Sequence, residues 1–194
     1  MRLVADHQPA PDFGERMTGI LRCQRLLLAR GVTTVGAAVN RGFADDLGAF
    51  RELEADGRLR MRVHEFLSWE LLEAASGLGV RPGFGGRVRA GPLKVFIDGG
   101  AAAGAVALRG VPDPLWRTPP EELKTLVARA SAAGLQVAAH AIGDAAIAAF
   151  CDAVEAAGPA ALGQRHRVEH CTACPPDLQA RLARLGMVAV MQSL

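Results

Sequence analysis

Short runs of apolar, β-branched residues alternate along this chain with longer stretches whose apolar positions recur at helical spacing. The runs predict strands at Val32 to Val39, Arg60 to Leu67, Pro92 to Asp98, Leu135 to His140, Arg165 to Cys171 and Met187 to Gln192. The stretches between them predict helices. Glu15 to Arg30 carries Ile20, Leu21, Leu27 and Leu28 on one face and stops at Gly31. Asp45 to Asp56 ends at Gly57, and Pro119 to Ala133 opens on two prolines and two glutamates and ends at Gly134. Asp144 to Ala157 starts on a residue suited to cap a helix N-terminus and stops at Gly158. Pro175 to Arg184 completes the set before Gly186.

Strict alternation of strand and helix predicts a parallel sheet covered by helices. An open, doubly wound sheet and a closed (β/α) barrel both satisfy it. A barrel of about 250 residues has eight strand–helix units, so six units need roughly 186 residues. The chain has 194 residues. No G-x-G-x-x-G follows the first strand, which weighs against a dinucleotide-binding open sheet. Gly83, Gly85 and Gly86 precede a strand, and no helix starts on them, so they read as a flexible connection. The expectation is an α/β fold: one domain over residues 1–194, forming an incomplete TIM-like barrel of about six of eight units.

Half of the residues are hydrophobic and 22% are charged, a balance that excludes an intrinsically disordered chain. The net charge is +2, with the two signs interspersed. No basic block of the kind that tracks a phosphate backbone occurs, so a nucleic-acid partner is not expected. No uninterrupted apolar run approaches the ~18 residues that span a bilayer. Met1 to Pro11 lacks the apolar centre of a signal peptide. Cys23, Cys151, Cys171 and Cys174 are too few and too unevenly spaced for a disulfide framework. A cytoplasmic protein is expected.

Polar residues inside apolar strands carry the chemical information, because burying them is costly unless they are paired or coordinate something. His140 ends its strand, where a parallel barrel places its active site. His166-Arg167-Val168-Glu169-His170 matches the H-x-x-E-H pattern of a zinc protease helix. Gly163 before it and Pro175-Pro176 after it leave room only for a strand. On a strand, His166, Val168 and His170 share one face, and His170 sits at the carboxyl end. Lys94, one of only two lysines, lies in an apolar run and shares its face with Phe96 and Asp98. It is either an edge-strand lysine facing solvent or a buried one that must be neutralised, paired or modified. Asp98, before Gly99-Gly100, reads as a turn residue or a site residue, and Asp144 as a helix cap or a site residue. Cys171-Thr172-Ala173-Cys174 lacks the second half of a structural zinc site. His7 and His64 are isolated and read as structural or exposed.

Three segments then line up with one family: Leu93 to Gly99, Gly134 to Asp144 with its His-Ala-Ile-Gly-Asp, and Arg165 to His170 with its Arg-His-Arg-Val-Glu-His. In order and separation they resemble amidohydrolase family 3, the YtcJ-like metal-dependent hydrolases related to N-substituted formamide deformylase. Gly31 to Val35 and Leu185 to Gln192 are similar as well. The resemblance implies a TIM-like barrel holding one or two divalent metals, usually zinc. It implies that Lys94 is a carboxylated lysine ligand and that His140 and His170 are the fifth- and sixth-strand ligands. It also implies hydrolysis of non-peptide, amide-like carbon–nitrogen bonds in a small substrate by metal-activated water.

The chain departs from that pattern in two places. No His-x-His occurs in it, and no strand follows Gln192 to carry the final aspartate that would act as general base. By the family's order the chain holds strands two to seven, so no catalytic base is expected within it. Unpaired strand edges invite association, and a homo-oligomer is one possible outcome. Two functions therefore remain open: a hydrolase completed by further chain, or a non-catalytic partial barrel used for binding or assembly or left without function.

Overall fold

A computed structural model describes residues 11–38, 43–77, 83, 85–101 and 104–192. Among them, in chain order, are α1 (Phe13–Leu28), β1 (Thr34–Ala37), α2 (Phe43–Ala55), β2 (Arg62–Ser68), α3 (Leu72–Gly77), β3 (Val88–Phe96), α4 (Pro120–Ala132), β4 (Val137–Ala141), α5 (Asp144–Ala157), β5 (Arg167–His170), α6 (Pro176–Arg184) and β6 (Val188–Val190). The six strands form one sheet in sequential order, β1 to β6. The pairs β1–β2, β3–β4, β4–β5 and β5–β6 are parallel. Sequential parallel strands with intervening helices are what the hydrophobic alternation predicts. The sequence reading missed α3 and the short 3-10 turn at Trp69–Leu71 before it. It also started β3 four residues late, because Pro92 reads as a strand boundary.

The chain divides into two compact units. The first comprises residues 1–65 and 85–89. Its core is built from Leu53, Leu59, Met61, Val63 and Val88, with Met17, Ile20, Leu21 and Phe50 packed against them. Asp12 and Glu15 form a reciprocal capping box that fixes the start of α1. Buried Gln24 donates to the Arg58 carbonyl and accepts from the Arg60 N–H, which clips α1 to the lead-in of β2. The glycines at 85 and 86 have a packing role. A Cβ at Gly86 would strike the Glu54 carboxylate, which accepts the Arg87 N–H.

The second unit comprises residues 66–84 and 90–194. Leu123, Leu126, Val127 and Ala130 of α4 and Ile147, Phe150 and Val154 of α5 are buried, together with Leu93, Val95, Val137, Ala139 and Val168 of the strands. Each large side chain withdrawn from water in this way contributes about 1.5–3 kcal/mol. Strand β4 is buried at four of its five positions, and His140 is half-buried. Polar groups at the strand ends of this unit therefore stand out, and most of the candidate site residues lie here.

Candidate metal centre

Lys94, His140 and His170 all belong to the second unit. In the β3–β4 register Lys94 lies opposite Ala138 and Phe96 opposite His140. In the β4–β5 register Ala141 lies opposite His170. Lys94 is 7% exposed on an interior strand, so the edge-strand reading fails. Its ammonium nitrogen lies 4.6 Å from the centre of the Phe96 ring. Burial lowers its pKa to about 8, Glu169 opposes that shift, and Arg167 adds to it. Arg167 Nε donates to Glu169 at 2.7 Å, and its guanidinium lies 5.2 Å from the Phe66 ring.

The alternation of β5 holds for His166 and Val168 but not for His170. His166 is buried on the helix side, beside Ser131 and Phe150. His170 was expected on that same face. Instead its ring centroid sits 4.5 Å from that of His140. The cause is local backbone: His170 and Cys171 both have left-handed φ, 77° and 48°. That conformation is costly for non-glycine residues, and here it ends the strand and swings the imidazole across to its neighbour.

The two imidazoles are held by groups that fix their protons. His140 Nε2 lies 3.2 Å from the Gly99 carbonyl. A carbonyl only accepts, so Nε2 carries the proton and Nδ1 keeps a free lone pair. His170 Nδ1 lies 3.0 Å from the side-chain carbonyl oxygen of Gln192, so Nδ1 is protonated and Nε2 is free. Burial lowers the His140 pKa, the Gly99 hydrogen bond opposes that, and His170 and Lys94 lower it further. A neutral imidazole with one committed N–H is the form that ligates a metal. Sequence reasoning did not single out Gln192 or the Gly99 carbonyl. An amide side chain at a strand's end is the signal for the first; nothing in the sequence marks the second.

Asp98 lies in the bend after β3 and is fully buried. Its carboxylate accepts the backbone N–H groups of Ala107 (3.2 Å), Ile142 (3.1 Å) and Gly143 (2.9 Å). One of its oxygens lies 3.6 Å from His140 Nε2. Asp98 thus joins the end of β3 to the turn after His140. Asp144 does not cap its helix. Gly143 occupies the cap position, because the Ala107 carbonyl leaves no space there for a side chain. The Asp144 carboxylate instead accepts the Arg109 N–H at 2.8 Å and lies in the first turn of α5, where negative charge is favourable.

Among the described residues, no three His, Cys, Asp or Glu side chains gather as a ligand set. The local donors are two imidazoles and a lysine. Cys171 and Cys174 are free thiols, and burial pushes Cys171 up to about 12. Arg167 to His170 of the H-x-x-E-H segment form strand β5, with His166 just before it, so the protease-helix pattern does not apply. His64 is exposed, and His7 lies outside the described residues.

Over residues 2–194 the chain matches the amidohydrolase family. An uncharacterised metal-dependent hydrolase from Pyrococcus furiosus superposes with a TM-score of 0.78 at 29% identity, over 95% of this chain and 39% of its own. A counterpart from Pyrococcus horikoshii gives 0.79 at 28% identity, over 95% and 38%. Protein LONG AFTER FAR-RED 3 of Arabidopsis thaliana is 29% identical over 99% of this chain and 36% of its own length. The chain spans less than two-fifths of each of these relatives. Ochratoxinase from A. niger shares the fold, with a TM-score of 0.60 at 16% identity. The fold is an incomplete α/β barrel of the metal-dependent hydrolase type, and the chain belongs to the amidohydrolase family.

Proposed function

We propose that this chain carries part of the divalent-metal site of a hydrolase acting on non-peptide, amide-like carbon–nitrogen bonds of a small molecule. The observation that carries this reading is the His140–His170 pair. The two imidazoles come from adjacent strands, have ring centroids 4.5 Å apart, and each has its other nitrogen committed to a carbonyl. His140 Nδ1 and His170 Nε2 would be the donors. Lys94 would be the third ligand. A buried lysine is a poor resident unless converted to another form, and carboxylation of its amine would supply an anionic oxygen. Zinc suits nitrogen and oxygen donors of this kind. When bound, such an ion makes hydroxide available near neutral pH and polarises the scissile carbon.

The chain's own residues would prepare the site. Asp98 fixes the turn beyond His140, Gln192 orients His170, and the Arg167–Glu169 pair lies near Lys94. A reducing, cytoplasmic setting is part of the same proposal, supported by four free cysteines. No helix among the described residues is long and apolar enough to cross a membrane.

The test is metal content after zinc loading and desalting. The unmodified chain should retain zinc, and Lys94→Ala and His170→Ala should each lose most of it. Equal zinc in all three proteins would refute the assigned ligands.

A further inference from the structure

We propose that Arg117, supported by Phe96, selects amide substrates that carry a carboxylate beside an apolar or aromatic group; this rests on the amide-hydrolase reading of the His140–His170 site. Phe96 is the first exposed position after five buried ones in β3, and 37% of its surface is accessible. An aromatic ring left open at the end of a strand buried from Gly91 to Val95 is a contact surface for an apolar partner. It borders the candidate metal centre directly. Its centroid lies 5.5 Å from that of His140 and 4.6 Å from Lys94 Nζ.

The same ring lies 5.8 Å from the Arg117 guanidinium carbon. Backbone bonds hold this arginine in place. The Arg117 N–H donates to the Ile97 carbonyl at 2.9 Å, and the Thr118 hydroxyl donates to the Phe96 carbonyl at 2.8 Å. The segment is therefore stitched to the end of β3, next to the site. Three arginines of this unit pair with carboxylates: Arg109 with Asp177, Arg167 with Glu169, and Arg181 with Asp152 and Glu155. Among the described residues, no carboxylate pairs with Arg117; its guanidinium meets only the Phe96 ring. A guanidinium offers a rigid fork of donors that matches a carboxylate. A molecule whose amide reaches His140 and His170 would rest its apolar part on Phe96 and its carboxylate on Arg117.

Three small probes separate the contributions: phenylacetate, its neutral isostere phenylacetamide, and acetate, which lacks the ring. Each is titrated by NMR into the whole chain, once stripped with EDTA and once with zinc added. Phenylacetate should bind about tenfold tighter than phenylacetamide in both conditions, as one charge-assisted contact allows. Arg117→Ala should abolish that preference, and Arg117→Lys should restore part of it. Phe96→Ala should weaken phenylacetate but leave acetate unchanged. Both side chains are exposed, so these variants should fold, and circular dichroism checks that they do. Equal binding of phenylacetate and phenylacetamide, no binding of phenylacetate, or a preference that survives Arg117→Ala would overturn the proposal. If zinc does not bind but the Arg117-dependent preference persists, the anion-recognition role stands and the metal reading alone falls.

Discussion

Two buried carboxylates, one in each unit, meet opposite fates. Glu65 of the first unit is 2% exposed, and among the described residues its Oε2 has no hydrogen-bond partner. Burial, reinforced by Asp46, raises its pKa to about 8. Asp98 of the second unit is fully buried, yet three backbone N–H groups converge on it. In the first unit a buried carboxylate oxygen is left without a partner among the described residues. In the second the backbone itself has been shaped around one. The difference teaches that polar groups at the strand ends of the second unit are built in. Those ends hold the candidate metal centre.

The largest expected effect comes from emptying the provided site. Asp98→Ala would orphan three buried donors, each worth about 1–3 kcal/mol, so urea denaturation should show a loss of about 3–5 kcal/mol. A loss below about 1 kcal/mol would mean the Asp98 bonds hold nothing together. Next is His166, whose Nδ1 accepts the Val137 N–H and whose Nε2 meets the Ser131 hydroxyl. Burial lowers its pKa to about 4 from an ordinary 6.5. Between those values the unfolded chain binds more protons, so stability should fall by about 3 kcal/mol as pH drops from 6.5 to 4. His166→Gln should flatten that slope; an unchanged slope would remove His166 as its source.

The smallest effect has the opposite sign. For Glu65 the folded chain holds the proton more tightly, so stability should decline as pH rises from 4.5 to 8. Glu65→Gln should remove that decline and stabilise the protein at pH 8 by on the order of 1–2 kcal/mol, measured by thermal unfolding. If the variant is no more stable at pH 8 than the parent, Glu65 has a partner for its charge, and the contrast with Asp98 weakens.

The order of strands and helices was legible because period-2 and period-3.6 patterns alternate cleanly and most helices end on glycine. Helix α3 was missed because it is only six residues long, too short for a periodic signal. Lys94 and His140 were legible as polar residues in apolar strands. The position of His170's ring was not, because alternation puts it with His166, and the left-handed φ that moves it leaves no mark in a Glu-His-Cys sequence. Asp98 and Asp144 were visible as acids near turns, but their partners lie far along the chain. Ile142 and Gly143 donate to Asp98 from 44 and 45 residues away, and Arg109 donates to Asp144 from 35. Phe96 was seen only as a face-mate of Lys94, and Arg117 was not singled out. Their pairing depends on a loop returning to the end of β3, which no local pattern encodes.

The central claim is that His140 and His170 present one free nitrogen each to a shared cation. Zinc titration of 15N-labelled protein, followed at the imidazole nitrogens by NMR, tests it directly. The account expects His140 Nδ1 and His170 Nε2 to shift together and saturate at the same zinc concentration, while His140 Nε2 and His170 Nδ1 keep their protons. Shifts at the other nitrogen of either ring, or no response from the pair while zinc binds elsewhere, would contradict it.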